Sequence, residues 1–389
     1  MGRGDGAAKM SGQNTTVNSI QSSKPDARLS SSVLCALKRL YLRVMLRFAI
    51  GLLAVSILYG AGREVVLFDT DSCLFCDDGA ALVILMRSPA QVYIPGVTVV
   101  PGNVWPAQGA EYMLHILDLL NRRQVPVYTG AQTPLVHTAA MAREAERRWG
   151  KLEYTGAFAE NPTEVKPAPG ARLSERKPHV EGAVEFLISE IERNPGQVTV
   201  LAIGPMTNIA LALRLKPEIE TKIKRIVFMG GNVHVPGNAS HSAEFNFWFD
   251  PEAARIVLRS RIPEKVMFGL DICNTAPVRK AQFDEIVRVK TPISDLFRED
   301  LGNRYPGFLR QPQATTYLWD SLAAAYLVDP GFVTKSEVQY LDVQAAWDRF
   351  YGSTIPLDRR LAPDATPVRV MLQLDYNRLW GLFREKLTQ

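Results

Sequence analysis

After residue 64 this chain alternates between short β-branched runs and longer amphipathic ones, and no other feature narrows its fold as much. Runs with strand character cover residues 65–69, 91–99, 125–128, 198–203, 225–229 and 265–270. Runs with helical spacing cover 78–87, 108–121, 138–149, 180–193, 207–215, 251–260 and 319–328. Most consecutive strand candidates are separated by a helix-length segment, so they are expected to pair in parallel, with helices covering both faces of an open sheet. The expectation is an α/β domain with a mostly parallel sheet. No repeat of fixed period is visible. Residues 160–178, with four prolines, read as a long surface loop, and 291–312 as a second irregular insertion.

Polar clusters follow the strands. Asp69, Asp71, Asp77 and Asp78 follow the first, Gly102 and Asn103 the second, Ile203-Gly204-Pro205 the fourth, Gly230-Gly231-Asn232 the fifth and Asp271 the sixth. Each lies at a strand's carboxyl end, the edge where open parallel sheets bind ligands, so motifs spread over two hundred residues are expected to meet in one crevice. Four carboxylates within ten residues repel one another unless a positive charge sits between them. A loop that returns on itself after a strand can aim several oxygens at one hard cation.

The chain's net charge of +5 comes from its beginning. Residues 1–62 hold eight lysines and arginines against Asp5 and Asp26; subtracting these from 45 basic and 40 acidic residues leaves 37 and 38, net −1, for the rest. The body has no charge excess that would suit nucleic acid or an anionic membrane. Residues 1–33 are Ser-rich and polar, expected to be a disordered leader. In 34–62 a basic flank precedes an apolar run that ends in small residues, the pattern of a signal peptide, with a membrane anchor as the alternative. Export to the periplasm or outside follows if the leader is cut; uncut, the chain is anchored to a membrane or stays cytoplasmic. Met45 is an alternative start. Four cysteines are too few for a disulfide scaffold. Cys73 and Cys76 form a lone Cys-x-x-Cys in the acidic loop, without the second pair that a zinc site needs.

The stretch Met229-Gly-Gly-Asn…Asn238…Glu244-Phe-Asn246 resembles the calcium-dependent nucleoside N-ribohydrolases, together with the Asp69-Thr-Asp71…Asp77-Asp78 loop, the Gly102-Asn103 turn, Ile203-Gly-Pro-Met-Thr-Asn208, Trp319-Asp320-Ser-Leu-Ala-Ala and the closing strand 368–375. The resemblance covers about residues 64–389, making 63–389 a nucleoside hydrolase domain. It implies a Rossmann-like sheet with the site at the strand carboxyl ends, and hydrolysis of ribonucleosides to base and ribose. It also implies one calcium held by Asp71, Asp78, Asp320 and the main-chain carbonyl of Ile203. Asp71 is then the base that activates water, and Asp77, Asn103, Asn238, Glu244 and Asn246 bind ribose. A homo-oligomer, dimer or tetramer, is expected.

This chain departs from the family at three places. Cys73 stands where relatives usually carry Gly. Trp319 replaces a His that could protonate the leaving base; its indole suits stacking on a purine, and His241 is the next candidate acid. The loop between Gly231 and Ala243 is one residue longer, with Pro236 the addition. Two other readings predict different chemistry. A haloacid-dehalogenase-type phosphatase would use Asp69 as nucleophile, and a nucleoside-binding protein would lack turnover.

Overall fold

The computed structural model describes residues 62–75, 77–159, 164–304, 311 and 313–389. All described residues lie in one compact unit, Tyr59–Gln389. The leader and signal segments, Cys76 and residues 160–163 fall outside them. No described helix is long and apolar enough to cross a membrane.

Twelve strands occur among the described residues: β1 Glu64–Thr70, β2 Val92–Tyr93, β3 Val97–Val99, β4 Val127–Thr129, β5 Val198–Ala202, β6 Ile223–Met229, β7 Lys265–Phe268, β8 Pro277–Arg279, β9 Thr315–Tyr317, β10 Val333–Val343, β11 Thr354–Pro356 and β12 Pro367–Leu374. Ten form one sheet in the order β11-β10-β12-β7-β6-β5-β1-β3-β4, with β2 beside β1. From β12 to β4 every pairing is parallel; β10 runs antiparallel to both β12 and β11. The mostly parallel sheet expected from the alternation is therefore present.

The strands are buried on both faces, which explains their near-continuous apolar sequences. In β1, Val66 and Phe68 join the core on one face while Val65 and Leu67 join the core on the other. Helix Asp78–Met86, buried along its whole length, packs against Trp319–Val328, two helices from opposite ends of the chain. The read of 91–99 as one strand differs from the structure, where Pro95 and Gly96 separate β2 from β3. Residues 292–304, read as irregular, form helix Pro292–Arg304.

The strand order locates the site. From β1 the chain moves outward through β3 and β4, then crosses back to β5 on the other flank and continues outward through β6 and β7. The direction reverses between β1 and β5, where the connections diverge and leave a crevice beyond the strand ends. Ile203 N donates to Asp69 O across that junction at 2.9 Å, so Asp71 and Ile203 emerge side by side.

Candidate active site

A cavity of about 430 Å³ opens there, lined by Cys73, Asp77, Asn103, Tyr154, Ile203, Met229, Asn238, Glu244, Phe245, Asn246, Trp319 and Asp320. Asp71 and Asp78 are fully buried and complete the carboxylate group. Burial, then the neighbouring Asp78 and Asp77 charges, push the Asp71 carboxyl well above the usual range. Burial, then Asp77, Asp78 and Asp71, do the same to Asp320. Residues separated by almost 250 positions thus share one electrostatic neighbourhood.

Side-chain hydrogen bonds fix the loop. Thr70 donates its hydroxyl to Asp78 Oδ1, and Ser321 Oγ donates to the Asp77 carbonyl at 3.4 Å, tying the loop to helix Trp319–Val328. Asp71 accepts from Asn103 twice, from the backbone N–H at 2.7 Å and from Nδ2 at 3.2 Å. The same Nδ2 reaches Asp78 Oδ2 at 3.3 Å. Gly102 is required beside them: a Cβ there would lie 2.1 Å from Asp71 Oδ2.

On the opposite wall Glu244 begins helix Phe245–Phe249 and accepts from the N–H groups of Asn246, Phe247 and Gly231 at 2.9, 3.1 and 2.8 Å. Burial outweighs those bonds and raises its pKa to about 7. Asn246 donates to the carbonyls of Ile203 at 3.2 Å and Met229 at 3.0 Å, and Asn238 Oδ1 accepts from Phe245 N at 2.8 Å.

The donor set suits a hard divalent cation. No described lysine or arginine lines the cavity, while buried carboxylates converge with a main-chain carbonyl, and such a crowd needs a compensating positive charge. Asp71, Asp78, Asp320 and the Ile203 carbonyl would hold it. One compact group of possible ligands also includes sulfur: single atoms of Cys73, Asp77 and Asp78 lie within 4.8 Å of one another.

Several residues stand differently from the sequence reading. His241 does not line this cavity. It lines two adjacent hollows, because the backbone turns back through a Gly237 N–H to His241 carbonyl bond of 2.9 Å, leaving Asn238 on the cavity side. Asp69 does not line it either; it is fully buried and accepts from Thr98 and Asn208. Asp271, after β7, anchors the β6 loop by accepting from the N–H groups of Val233 and His234 at 2.8 and 2.7 Å. Trp319 lines the cavity, but its indole Nε1 is buried and has no hydrogen-bond partner. Tyr154, Phe245 and Met229 were missed. Phe245 and Met229 flank motif residues already singled out, whereas nothing local distinguishes Tyr154.

A carboxylate nest at the switch point, beside a cavity walled by amides and aromatic rings, is a site of the kind that suits an enzyme acting on a small polar substrate with a flat group. The profile of the inosine-uridine preferring nucleoside hydrolases matches residues 66–381. A pyrimidine-specific ribonucleoside hydrolase RihA from Enterobacter sp. (strain 638) is 31% identical over 320 residues, covering 80% of this chain and 95% of that protein. A plant nucleoside hydrolase structure superposes with a TM-score of 0.69 at 26% identity, covering 84% of this chain and 99% of that one. A purine-preferring ribonucleoside hydrolase from Gardnerella vaginalis gives 0.67 at 26% identity, covering 84% and 98%. The chain belongs to the inosine-uridine preferring nucleoside hydrolase family. It is an N-glycosidic bond hydrolase acting on ribonucleosides, so neither the phosphatase reading nor the turnover-free reading holds.

Proposed function

We propose that the protein cleaves purine ribonucleosides in preference to pyrimidine ones, with calcium held by Asp71, Asp78, Asp320 and the Ile203 carbonyl, and with Asp71 as the base that takes a proton from the attacking water. The observation that carries this reading is the convergence of the four loop and helix carboxylates beside the cavity. When bound, calcium supplies Lewis acidity to water and oxygen affinity for the ribose hydroxyls.

The chain's own groups do the rest. Asn103 binds both oxygens of Asp71 and so holds the base in one orientation. Asp77, Asn103, Asn238, Glu244 and Asn246 offer the amides and carboxylates that ribose hydroxyls pair with, and the deoxy sugar would leave some of them unmatched. As the glycosidic bond lengthens the sugar becomes positive, and the surrounding carboxylates stabilise that charge. Trp319, Tyr154 and Phe245 present aromatic surface, which supports the larger purine. The RihA relatives are named pyrimidine-specific and the Gardnerella vaginalis enzyme purine-preferring, so the preference is a property to measure.

The test is release of free base from inosine, guanosine, uridine and cytidine, with enzyme stripped by chelator and then given back calcium. Inosine or guanosine should be fastest and the stripped enzyme inactive. Full activity without metal would overturn the calcium reading, and faster uridine would overturn the purine preference. The proposal includes export after cleavage near residue 62, supported by the basic flank and apolar run. N-terminal sequencing of protein from the native host tests it, and an intact Met1 on cytosolic material would refute it.

A further inference from the structure

Three segments that line the catalytic cavity also line a second hollow, of about 300 Å³. In each segment a residue of the hollow stands two positions from a residue of the cavity: Leu152 from Tyr154, Ser240 from Asn238 and Trp248 from Asn246. Leu152, Ala239, Phe245 and Trp248 pack in one buried cluster, and Glu153 N donates to the Ala239 carbonyl at 2.9 Å. The N–H groups of Asn238, Ala239 and Ser240 all donate to the Ala243 carbonyl, at 3.2, 3.2 and 3.3 Å. That turn is knitted into one piece, so a shift of Ser240 carries Asn238 with it.

The hollow has a chemistry of its own. The catalytic cavity has carboxylates and no described lysine or arginine; this one has rings and cations. Trp149 and Trp347, both half-buried, meet with ring centroids 5.0 Å apart, and Trp248 and Tyr351 flank the buried His137 at 4.7 and 5.0 Å. Lys151 and Arg349 are exposed and take part in no ion pair among the described residues, whereas Arg148, over the Trp347 ring, pairs with Glu144. The carboxylate in the lining, Asp348, already accepts from the Gln344 amide and the Phe350 N–H, both at 2.7 Å. Rings with free faces and cations without anions suit one kind of molecule, a flat aromatic ring that carries a negative charge. The volume is at the small end of ligand pockets and fits a molecule of that size.

We propose that this hollow is a second binding site, for a planar aromatic anion, and that its occupant alters ribonucleoside affinity through the turn at 238–243. The coupling rests on the reading of Asn238 as a ribose-binding residue.

Calorimetry on the purified full-length protein, supplied with calcium, tests the site with two probes. Inosine monophosphate and indoleacetate separate a phosphate-bearing source of the ligand from a carboxylate-bearing one. At least one should bind with one-to-one stoichiometry and, at saturation, shift the KM for inosine by roughly fivefold or more. Lys151→Gln combined with Arg349→Gln should weaken binding by about tenfold or more, and Trp347→Ala by about fivefold or more. Without probe, both variants should keep the wild-type kinetics. No binding of either probe, binding that the variants leave unchanged, or an unshifted KM at saturation would overturn the proposal. Asn238→Ala without probe tests the ribose reading by itself: an unchanged KM there would sink that reading, and the calorimetry would still decide the site.

Discussion

Tyr154 donates its phenolic proton to Asn103 Oδ1 at 2.9 Å, and this bond decides which end of the Asn103 amide faces the buried acids. With Oδ1 occupied by the phenol, Nδ2 is left to reach Asp71 and Asp78. A residue at the cavity mouth thereby sets the orientation of the two carboxylates beneath it.

Tyr154→Phe keeps the ring against Phe245, 4.7 Å away, and removes only the hydroxyl. A hydrogen bond of about 1 kcal/mol corresponds to roughly a fivefold change. kcat/KM should fall by about that factor for both inosine and uridine, since the bond acts on the proposed ribose and water side of the site. Steady-state kinetics check it. An unchanged kcat/KM would show that Asn103 keeps its orientation without Tyr154.

Asp78→Ala should lose calcium binding and activity together, by roughly a thousandfold in kcat, because it removes a proposed ligand, takes away the acceptor of the Thr70 hydroxyl and leaves Asn103 Nδ2 only Asp71. Calorimetry with calcium and base release with inosine are the two readouts. Calcium bound as in wild type would remove Asp78 from the ligand set.

Gly102→Ala puts a methyl group 2.1 Å from Asp71 Oδ2, and Asp71, fully buried, has nowhere to go without losing its bonds to Asn103. Displacement of a base by about 1 Å costs roughly 100-fold. The variant should fold, with a lowered Tm, and lose about that factor in kcat. Near-wild-type kcat would mean that the base is not Asp71.

Asp250 caps helix Pro251–Leu258 and accepts from Leu135 N and Thr207 Oγ1 at 2.9 and 2.7 Å. Burial raises its pKa from 3.8 to about 6. Between these values the folded chain keeps a proton that the unfolded chain gives up. Its contribution is therefore complete below about pH 4 and lost as pH rises to about 6, amounting to about 3 kcal/mol. Asp250→Asn cannot ionise, so its stability relative to wild type should improve by up to that amount from pH 4 to pH 7. Asp69 and Glu244, also shifted by burial, cancel in the difference. Urea unfolding of both proteins at the two pH values measures it; a pH-independent difference would mean Asp250 is ionised throughout.

The central sheet was legible because most residues of β1 and β5 to β7 are buried on both faces, and burial of that kind writes itself as near-continuous apolar runs. The antiparallel β10 was not, since most of its residues before Tyr340 are partly exposed and polar, as in 334–339. Helix Pro292–Arg304 escaped because its apolar residues Ile293, Leu296, Phe297 and Leu301 are diluted by charges. The acids and amides that meet at the cavity were readable from their places after strands. Tyr154 was not, because a long-range fold of residues 150–159 onto Gly102, through the Ala157 N–H at 2.8 Å, carries it there. The same limit applies to His241: its loop was identified, but only the turn at Gly237 decides which side it takes.

Trp319 stands directly before Asp320, so a change there tests the base-binding wall without removing a carboxylate. Its Nε1 is buried without a partner, and an indole N–H is too weak an acid to protonate a departing base. What remains for the substrate is aromatic surface. Stacking of a base on such a ring is worth about 1–3 kcal/mol, or roughly 5- to 150-fold in rate where it is felt mainly in the transition state. Trp319→Ala should therefore depress inosine turnover by a factor in that range and uridine turnover much less, because a pyrimidine covers less of the ring. Trp319→Phe keeps a flat surface and should recover most of the inosine rate. Equal losses for both nucleosides in Trp319→Ala would assign the residue to packing, where its 5.5 Å contact with Tyr317 already places part of the ring. Activation of the leaving base would then fall to Tyr154, whose hydroxyl lies in a residue that lines the same cavity, and the Tyr154→Phe kinetics would show it as a loss far beyond fivefold.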